Sequence, residues 1–430
     1  MGVIMKNKCF ISVIILISLL LCTVPNTIGN EIILNVSKYL DDNNLYIYIN
    51  GNDDFTPENG VIGGDGSKNN PYMISGLHFD GSYQYRLDEI RWRNMIFEFI
   101  INYFFGEIET ALTIINTDKH VIIKDNVFVN WNEPLPPQDP HSEVPKLSNH
   151  RGIKLSKAKN ITIEYNNFKD CNEGIDCYKS DVLIRYNDFN NIEAGYQIIN
   201  LERQLNSIIE HNNFKSCDCE NGIRIYHVEQ NTSIIDNNFD NCILNHGAID
   251  FTESQSFVNI SNNILNQIDG YSIIGTNGWI QNNELSNCEI AIKVVDSIVC
   301  NNLIYSSGPG IGASGYYNIY NNDIIGNSVG IGFYGDANQN STVFKNNITG
   351  NGKGFYCITN NPPSIFYNNI YDNDIGIKNN ADNYMIALNN WWGTSNGPGG
   401  EGTGDGDIIK GNISFNPWLF DSVIDAGRQS

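Results

Sequence analysis

Four polar residues follow the apolar start of short strand-like segments in four successive repeats: Asp176, Gln197, Arg224 and Asp250. Side chains alternate along a strand, so the residue after an inward apolar residue points outward. We therefore expect these four side chains to stack on one outward face. Carboxylates there would act as acid–base groups on a sugar ring, and the arginine would clamp a sugar carboxylate. These residue types predict a catalytic site for an acidic sugar.

A second set of polar and aromatic residues lies just beyond these positions. Tyr178, Tyr226, His227 and Glu253 are candidates, together with Gln197, for binding the substrate, since tyrosine rings can stack on sugars. The alternative is a solvated face on which Arg224 and Asp250 form a cross-coil ion pair of small value. We favour the solvated face, because no single catalytic spacing is present.

An Asn-Asn pair, once Asn-Val and once Asn-Asp, organises the chain into the repeats that would position these residues. Ten of the eleven intervals between the pairs are 19 to 25 residues long. The first Asn of each pair is Asn126, Asn166, Asn187, Asn212, Asn237, Asn262, Asn282, Asn301, Asn321, Asn346, Asn368 or Asn389. A β-branched segment precedes each pair, and Gly with a short alternating strand often follows. This period is too short for a propeller blade and predicts one coil of a parallel β-helix.

The asparagines have a physical role in such a coil. Asn tolerates the left-handed backbone conformation that a sharp bend needs, and stacked coils would align its amides in a ladder at about 4.8 Å. Cys171, Cys217 and Cys242 each lie five residues after a first Asn, and Cys288 lies six after. We expect an inward stack of buried thiols, with a disulfide between Cys217 and Cys242 as the alternative.

Composition and the N-terminus bound the class of protein. The chain of 430 residues has 26 Lys+Arg against 48 Asp+Glu, a net charge of −22, which argues against nucleic acid as a partner. Residues 1–29 predict a signal peptide, because Lys6 and Lys8 precede an apolar stretch too short for a comfortable membrane span. We therefore expect a secreted or cell-surface protein that contacts the membrane only if this segment stays uncleaved as an anchor.

The remaining chain divides into three predicted regions. Residues 30–110 form an N-terminal cap with the first coil and an aromatic, apolar insertion. Residues 111–390 form the repeats, interrupted by a Pro-rich surface loop at 129–151, and residues 391–430 form a C-terminal cap. Seven Asn-X-Ser/Thr sequons could carry glycans in an exported protein.

The two ends carry a family resemblance. The opening GGDGSKNNPYMISG, the repeats and the closing NNWWGTSNGPGG…GDGDIIKGNISFNPWL resemble the NosD-like proteins of archaea and bacteria over residues 62–419. The resemblance implies an all-β, single-stranded right-handed parallel β-helix of the pectin-lyase-like type, with about 12 or more coils and a cap at each end. It also implies export and a polysaccharide or cell-envelope glycan as partner. Copper, which the family name suggests, is not supported, because the Met and His residues are scattered.

Two further motifs contain residues that could take part in chemistry. Asp139-Pro140-His141 resembles the core of β-helical alginate epimerases, where His and Asp serve in proton abstraction, but its Pro-rich flanks do not match. The paired-Asp and Gly-His-Gly signatures of pectinase-type glycosidases are absent. Asp405 and Asp407 could offer oxygens to Ca²⁺, although their spacing fits a turn better than an EF-hand loop. No other cofactor is expected.

Two functional hypotheses follow from these observations. The favoured one is an exported β-helix surface protein with a non-catalytic role in the envelope, in adhesion or in glycan binding. The alternative is a polysaccharide lyase, glycoside hydrolase or uronate epimerase acting on an acidic polysaccharide. If the enzyme uses the outward strand residues and not the Pro-rich loop, Asp176 and Asp250 must lie on one face.

Overall fold

Short parallel strands build almost all of the structure. The computed structural model describes residues 46–81, 110–131, 150–193, 196–204, 206–228, 232–337 and 340–429. In these ranges the only helical elements are the 3₁₀ turns Asn52–Asp54 and Pro57–Asn59. None of the described helices is long and apolar enough to cross a membrane. The all-β prediction is confirmed.

Each coil contributes strands to three parallel sheets. Sheet 1 contains Ile47–Asn50, Thr110–Thr117, Arg151–Ala158, Glu173–Tyr178, Gln197–Glu202, Asp218–Tyr226, Val329–Ala337, Lys353–Cys357, Ile375–Asn379 and Gly406–Lys410, with Pro398–Gly400 beside the last. Sheet 2 contains Tyr72–Ser75, Val121–Lys124, Ile161–Glu164, Val182–Arg185, Ser207–Glu210, Thr232–Ile235, Val258–Ser261, Gly278–Gln281, Thr342–Phe344, Ser364–Phe366, Met385–Ile386 and Ile413–Ser414.

Sheet 3 completes the coil, and four long strands bend round a corner between two sheets. Sheet 3 contains His78–Asp80, Val127–Trp131, Asn167–Cys171, Asp188–Asn190, Asn213–Lys215, Glu284–Ser286, Leu303–Tyr305, Asp323–Ile325, Asn347–Thr349 and Asn369–Tyr371. Asn238–Glu253 and Ile264–Thr276 run from sheet 3 into sheet 1. Ile290–Cys300 and Pro309–Tyr320 run from sheet 1 into sheet 2.

Inward side chains of sheet 1 stack in register from one end of the molecule to the other. One such column holds fourteen residues: Ile47, Leu112, Ile153, Ile175, Ile199, Ile223, Ile249, Ile273, Ile292, Ile311, Ile331, Phe355, Ile377 and Ile409. Each rung, meaning one strand of a sheet, adds about 4.8 Å, so the rod is about 65 Å long. The prediction of a solenoid with about 12 or more coils is confirmed.

Sheet 3 contributes a stack of aromatic rings to the same core. Phe79, Phe128, Phe168, Phe189, Phe214 and Phe239 are fully buried, with consecutive ring centroids 4.2–4.9 Å apart. The column continues as Leu265, Leu285 and Ile304. Each repeat therefore buries its apolar residues only against the repeats above and below it, as in other solenoids.

A ladder of buried asparagines lines the corner between sheets 2 and 3. In Asn263, for example, the backbone N–H and Nδ2 both donate to Oδ1 of Asn283, at 2.9 and 3.0 Å. The ladder contains Asn126, Asn166, Asn187, Asn212, Asn237, Asn263, Asn283, Asn302, Asn322, Asn346, Asn368 and Asn390. The predicted ladder of stacked amides is confirmed.

The residue at the bend itself differs from the prediction. The left-handed conformation belongs to the residue before each ladder asparagine, which is Asn262 or Asn301 in some coils but Tyr165, His211 or Lys345 in others. The first Asn of a pair is therefore a ladder residue in seven coils and a bend residue in five. The bend side chain points outward, where many residue types are tolerated, whereas the ladder position needs an inward amide.

The cysteines are buried free thiols. All eight in the described chain are reduced: Cys171, Cys177, Cys217, Cys219, Cys242, Cys288, Cys300 and Cys357. Cys217 and Cys242 lie on adjacent rungs as free thiols, and each lies 3.4–3.7 Å from two backbone carbonyl oxygens. Burial raises the pKa of Cys171 to about 12, which makes it unreactive. The buried-thiol interpretation is confirmed.

The C-terminal end of the rod is closed by tryptophan and by a returning tail. Trp392 is fully buried, and the Trp418 indole donates to the carbonyl of Ser395 at 3.2 Å. The tail then runs back along sheet 3, where Asn369 exchanges two hydrogen bonds with the backbone of Val423, at 2.8 and 3.0 Å. Stacked strands occur on both sides of the predicted 111–390 range, and the domain boundaries stay predictions.

Candidate functional site

The outward face of sheet 1 carries the first predicted set of polar residues. Its register aligns five side chains in one column, column A, in successive coils: Lys154, Asp176, Asn200, Arg224 and Asp250. Three of the four predicted residues therefore share a column. Gln197 does not, because its coil has Ile198-Ile199 where its neighbours have Gly-Ile, and the outward position falls at Asn200.

A parallel column, column B, lies two residues further along each strand. It contains Ser156, Tyr178, Glu202, Tyr226 and Glu253. The predicted residues Tyr178, Tyr226 and Glu253 are therefore brought together, and Glu202 joins them although the sequence analysis did not single it out. The predicted residue His227 follows the strand at a corner, in the left-handed conformation, with its ring centroid 4.6 Å from that of Tyr226.

The predicted ion pair between Arg224 and Asp250 is wrong. Arg224 instead reaches Glu253, with 3.7 Å between Nη2 and Oε1, and its guanidinium lies 5.0 Å from the Tyr226 ring centroid. Asp250 accepts hydrogen bonds from the backbone N–H and the hydroxyl of Thr252, at 3.0 and 2.8 Å. The reason is a register shift of one residue in the next strand, which moves Glu253 opposite Tyr226.

Asp176 and Asp250 lie on the same face but do not form one catalytic pair. They are three rungs apart, which at about 4.8 Å per rung separates them by about 14 Å. Paired glycosidase carboxyl groups lie roughly 5 to 9.5 Å apart. The two carboxylates therefore cannot act together on one glycosidic bond, although each can contact a different sugar of one chain.

A compact charged cluster, the Arg151 cluster, lies around Asp176. Arg151 Nε contacts Glu173 Oε2 and lies 3.3 Å from Asp176 Oδ2. Gln197 Nε2 donates to Glu173 at 2.9 Å, and Asn200 Nδ2 donates to Asp176 at 3.0 Å. The side chains of Arg151, Glu173 and Asp176 are 12%, 4% and 16% exposed. Two carboxylates from one strand thus share one guanidinium at the edge of the solvent.

The electrostatics of this cluster distinguish its two carboxyl groups. Burial raises the pKa of Glu173 above its ordinary value, and the charge of Asp176 adds to the rise, although Arg151 opposes both effects. A carboxyl group that keeps its proton beside a second carboxyl group is an arrangement suited to general acid–base chemistry.

Arg151 and Glu173 were not predicted from the sequence, but a signal for them exists. Both occupy the position before Gly-Ile, in Arg151-Gly152-Ile153 and Glu173-Gly174-Ile175, and Asn221 takes this position two coils later. The register stacks Gln197 on Asn221, which is buried. A polar residue before Gly-Ile, at an otherwise apolar corner, was the sequence signal that could have indicated this cluster.

The candidate residues Asp139 and His141 lie outside the described residues. They belong to the segment between Trp131 and His150, and the chain enters sheet 1 with Arg151 directly after it. His150 is buried, with its ring centroid 6.5 Å from that of Trp131. The Asp139-Pro140-His141 tripeptide therefore precedes, in the chain, the strand that begins with Arg151, and its role stays a prediction.

The calcium candidates Asp405 and Asp407 take part in two separate hydrogen-bond networks. Asp405 exchanges hydrogen bonds with the side chain of Asn396, at 2.8 and 3.0 Å. Asp407 ends a second buried ladder, whose members are Ser307, Asn327, Asn351 and Asn373, and it accepts from Asn373 Nδ2 at 2.6 Å. In the part of the chain that the structure describes, no cluster of three His, Cys, Asp or Glu side chains could hold a metal ion.

Replacing Asp407 with asparagine should remove a loss of stability that the C-terminal coil suffers as the pH rises. Burial raises the pKa of Asp407 to about 6. Its contribution to stability is therefore complete below its ordinary pKa, near 3.8, and is lost as the pH rises through about 6. We expect Asp407→Asn to raise the Tm at pH 8 and to leave it nearly unchanged at pH 4.

Thermal unfolding followed by circular dichroism at both pH values measures this effect. Asp405→Asn is the matched control, because it removes an equivalent charge from an exposed turn. An equal gain for both variants at pH 8 would attribute the effect to net charge and contradict a specific role for Asp407.

Solved structures of two epimerases are similar to this chain at low sequence identity. No curated protein sequence matches the chain. The periplasmic alginate epimerase AlgG is similar in structure, with a TM-score of 0.44 and 13% identity, over 82% of this chain and 85% of that chain. The A-module of the mannuronan C-5 epimerase AlgE4 of Azotobacter vinelandii has a TM-score of 0.24 and 12% identity, over 73% of this chain and 84% of that chain. At these values the likeness does not bear on activity.

The family comparison covers more of the sequence. The family described as "Right handed beta helix region" matches residues 47–242 and 114–290, which together span more than half of the 430 residues. Its range includes columns A and B and the Arg151 cluster. The chain therefore belongs to the right-handed β-helix family.

Proposed function

We propose that this protein is an exported β-helix that binds an extended polysaccharide along sheet 1. The observation that carries the proposal is the pair of columns, A and B, which run along the axis of the rod on one flat face. Successive rungs repeat at about 4.8 Å, a distance close to the length of one sugar residue in an extended chain. Each sugar would therefore meet a new set of hydrogen-bonding side chains.

The side chains of these columns suit a ligand rich in hydroxyl groups. Asn200 offers both a donor and an acceptor, and Arg224 has five N–H donors, of which the ion pair with Glu253 engages Nη2. Tyr178 and Tyr226 add half-buried rings with a polar hydroxyl, a combination common at binding surfaces. Export and membership of the NosD-like subfamily are part of the same proposal, supported by the N-terminal and C-terminal motifs.

Replacing Arg224 should weaken binding of the polysaccharide. We expect Arg224→Gln to lower affinity about tenfold, which corresponds to the loss of one or two good hydrogen bonds. Arg185→Gln is the matched control on sheet 2, because Arg185 also pairs with an acid of the neighbouring coil, Glu164, and also lies over a tyrosine, Tyr186. Retention of both variants on a panel of acidic and neutral polysaccharides measures the effect. Equal losses, or no loss for Arg224→Gln, would contradict the proposal.

A second candidate function is favoured by the Arg151 cluster: a polysaccharide lyase, hydrolase or uronate epimerase. In a lyase reaction, a base removes the proton at C5 of a uronate, the C4–O bond breaks with formation of the C4–C5 double bond, and an acid protonates the leaving oxygen. Glu173 holds its proton more readily than an ordinary glutamate and would be the acid, and Asp176 at the solvent edge would be the base.

The same polysaccharide samples test the second candidate. NMR of the products reports new unsaturated ends, new reducing ends or inverted uronates. If any of them forms, Asp176→Asn should abolish turnover. Retention without any product would leave polysaccharide binding as the function and the Arg151 cluster as a structural element.

A further inference from the structure

Beyond Asp250 the residues of column A change in chemical character. The column continues as Ile274, Lys293, Gly312, Gly332, Tyr356, Lys378 and Lys410. It contains three lysines and no acidic residue, in a chain whose net charge is −22. The first half of column A, by contrast, alternates Lys154, Asp176, Asn200, Arg224 and Asp250. This part of sheet 1 is therefore locally basic on an acidic protein.

A tyrosine ring lies flat on the middle of this stretch. A Cβ atom at Gly332 would lie 2.5 Å from ring atoms of Tyr334, and one at Gly312 would lie 3.4 Å from the same ring. The ring therefore rests on two glycines of neighbouring coils, an approach that side chains at these positions would prevent. Tyr334 is 45% exposed, so nearly half of the residue faces solvent. A partly exposed aromatic ring supported from below is a surface on which a sugar ring can stack.

Neighbouring side chains contact the Tyr334 ring, and lysines lie on both sides of it. The rings of Tyr356 and Tyr334 pack at an interplanar angle of 64°, with 6.4 Å between their centroids, and Asn380 donates to the Tyr356 hydroxyl at 3.2 Å. Lys293 Nζ lies 3.5 Å from the hydroxyl of Tyr271. Lys293 and Lys378 stand two rungs from Gly332 on opposite sides, about 10 Å in each direction at the rung spacing.

We propose that these residues form an anion-binding subsite for the glycan, which we name the lysine–tyrosine patch. It consists of Lys293, Tyr334, Tyr356, Lys378 and Lys410. A sugar ring stacks on Tyr334, and acidic groups of the second sugar on each side pair with Lys293 and Lys378. The inference rests on the proposed function and deepens it, because it names the ligand as an anionic glycan.

The lysines would contribute as separate point charges. Lys293 and Lys410 are exposed, Lys378 is half-buried, and Lys293 stands about 19 Å from Lys378 at the rung spacing. The Debye length is about 8 Å at physiological salt, so each ammonium group acts on its own sugar and salt weakens each contact. Stacking on Tyr334 does not depend on charge and persists at high salt.

Calorimetric titration of the full protein with three glycans tests the inference: a polyuronate, a sulfated glycan and a neutral glucan. We expect Lys293→Gln with Lys378→Gln to weaken binding of the anionic glycan at least tenfold at about 50 mM NaCl and only slightly at about 300 mM NaCl. Tyr334→Ala should weaken binding at both salt concentrations. Comparison of the titrations with the polyuronate and the sulfated glycan identifies which acidic group, carboxylate or sulfate, the lysines bind.

A control with the same change in net charge is available on sheet 3. Lys169→Gln with Lys215→Gln removes two exposed lysines from an outward column of that sheet and should leave affinity unchanged. Equal affinity of the two double variants would overturn the inference. If Arg224→Gln still weakens binding in that case, only the lysine–tyrosine patch fails, whereas a protein that retains no glycan refutes the proposed function as well.

Discussion

Removal of a single ladder amide, in Asn302→Ala, should lower the free energy of unfolding by about 3–6 kcal/mol. Asn302 is fully buried, and its Oδ1 accepts from the backbone N–H and Nδ2 of Asn283, at 2.9 and 3.0 Å. Its Nδ2 donates to the carbonyl oxygens of Ile280 and Cys300, both at 3.0 Å. Alanine leaves several of these groups buried without a partner, and each such group costs about 1–3 kcal/mol.

The adjacent asparagine provides a control for this variant. Asn301 has φ 55° at the bend, a conformation that glycine adopts without strain, and its Oδ1 has no hydrogen-bond partner. We expect Asn301→Gly to change the free energy of unfolding by less than about 1 kcal/mol. Urea unfolding followed by circular dichroism compares the two variants. Similar losses for both would show that the bend, and not the amide ladder, sets the stability of the coil.

Arg151→Ala should cost about 3–5 kcal/mol at pH 8, the usual penalty for removing one partner of a buried ion pair. The Glu173 side chain is only 4% exposed, and without the guanidinium its carboxylate would be buried beside Asp176 with no cation in contact among residues 150–193 and the other described ranges. A second change, Glu173→Gln, should recover most of the loss, because the buried group is then neutral.

The loss should also depend on pH, in a direction set by the raised pKa of Glu173. A glutamate with a raised pKa contributes stability that is complete below its unfolded pKa and is lost as the pH rises through the folded value. Without Arg151 that pKa rises further, so the variant should approach the unchanged protein near pH 4 and fall behind it toward pH 8. Thermal unfolding at these pH values measures the difference. A loss that is independent of pH and not recovered by Glu173→Gln would show that Arg151 acts through packing.

The fold was predictable because its main determinant is periodic. The repeated Asn pairs and apolar strands give the coil length, and stacking follows from the need of each coil to bury its apolar residues. Which asparagine enters the ladder was not predictable from the pair alone. The choice between Asn262 and Asn263 depends on which residue takes the left-handed bend, and Tyr165 or His211 takes it in other coils.

The columns to which the site residues belong were predictable from the sequence, but the partners of their side chains were not. Asp176, Arg224 and Asp250 share a column because alternation fixes the side of a strand on which a residue lies. The partners depend on local shifts of the backbone that leave no periodic signal. Because of one extra residue between Asp250 and Glu253, Arg224 pairs with Glu253 and not with Asp250. The Ile198-Ile199 pair moves Gln197 out of column A.

The most direct test of the central claim is footprinting of tyrosines by hydroxyl radicals, with and without bound polysaccharide. The chain carries its own control, because Tyr165 and Tyr186 are exposed on the corner between sheets 2 and 3, with stacked rings 5.0 Å apart. We expect polysaccharide to protect Tyr178 and Tyr226 on sheet 1 and to leave Tyr165 and Tyr186 as reactive as before. Protection of Tyr165 and Tyr186, with sheet 1 unchanged, would contradict the claim that sheet 1 binds the glycan.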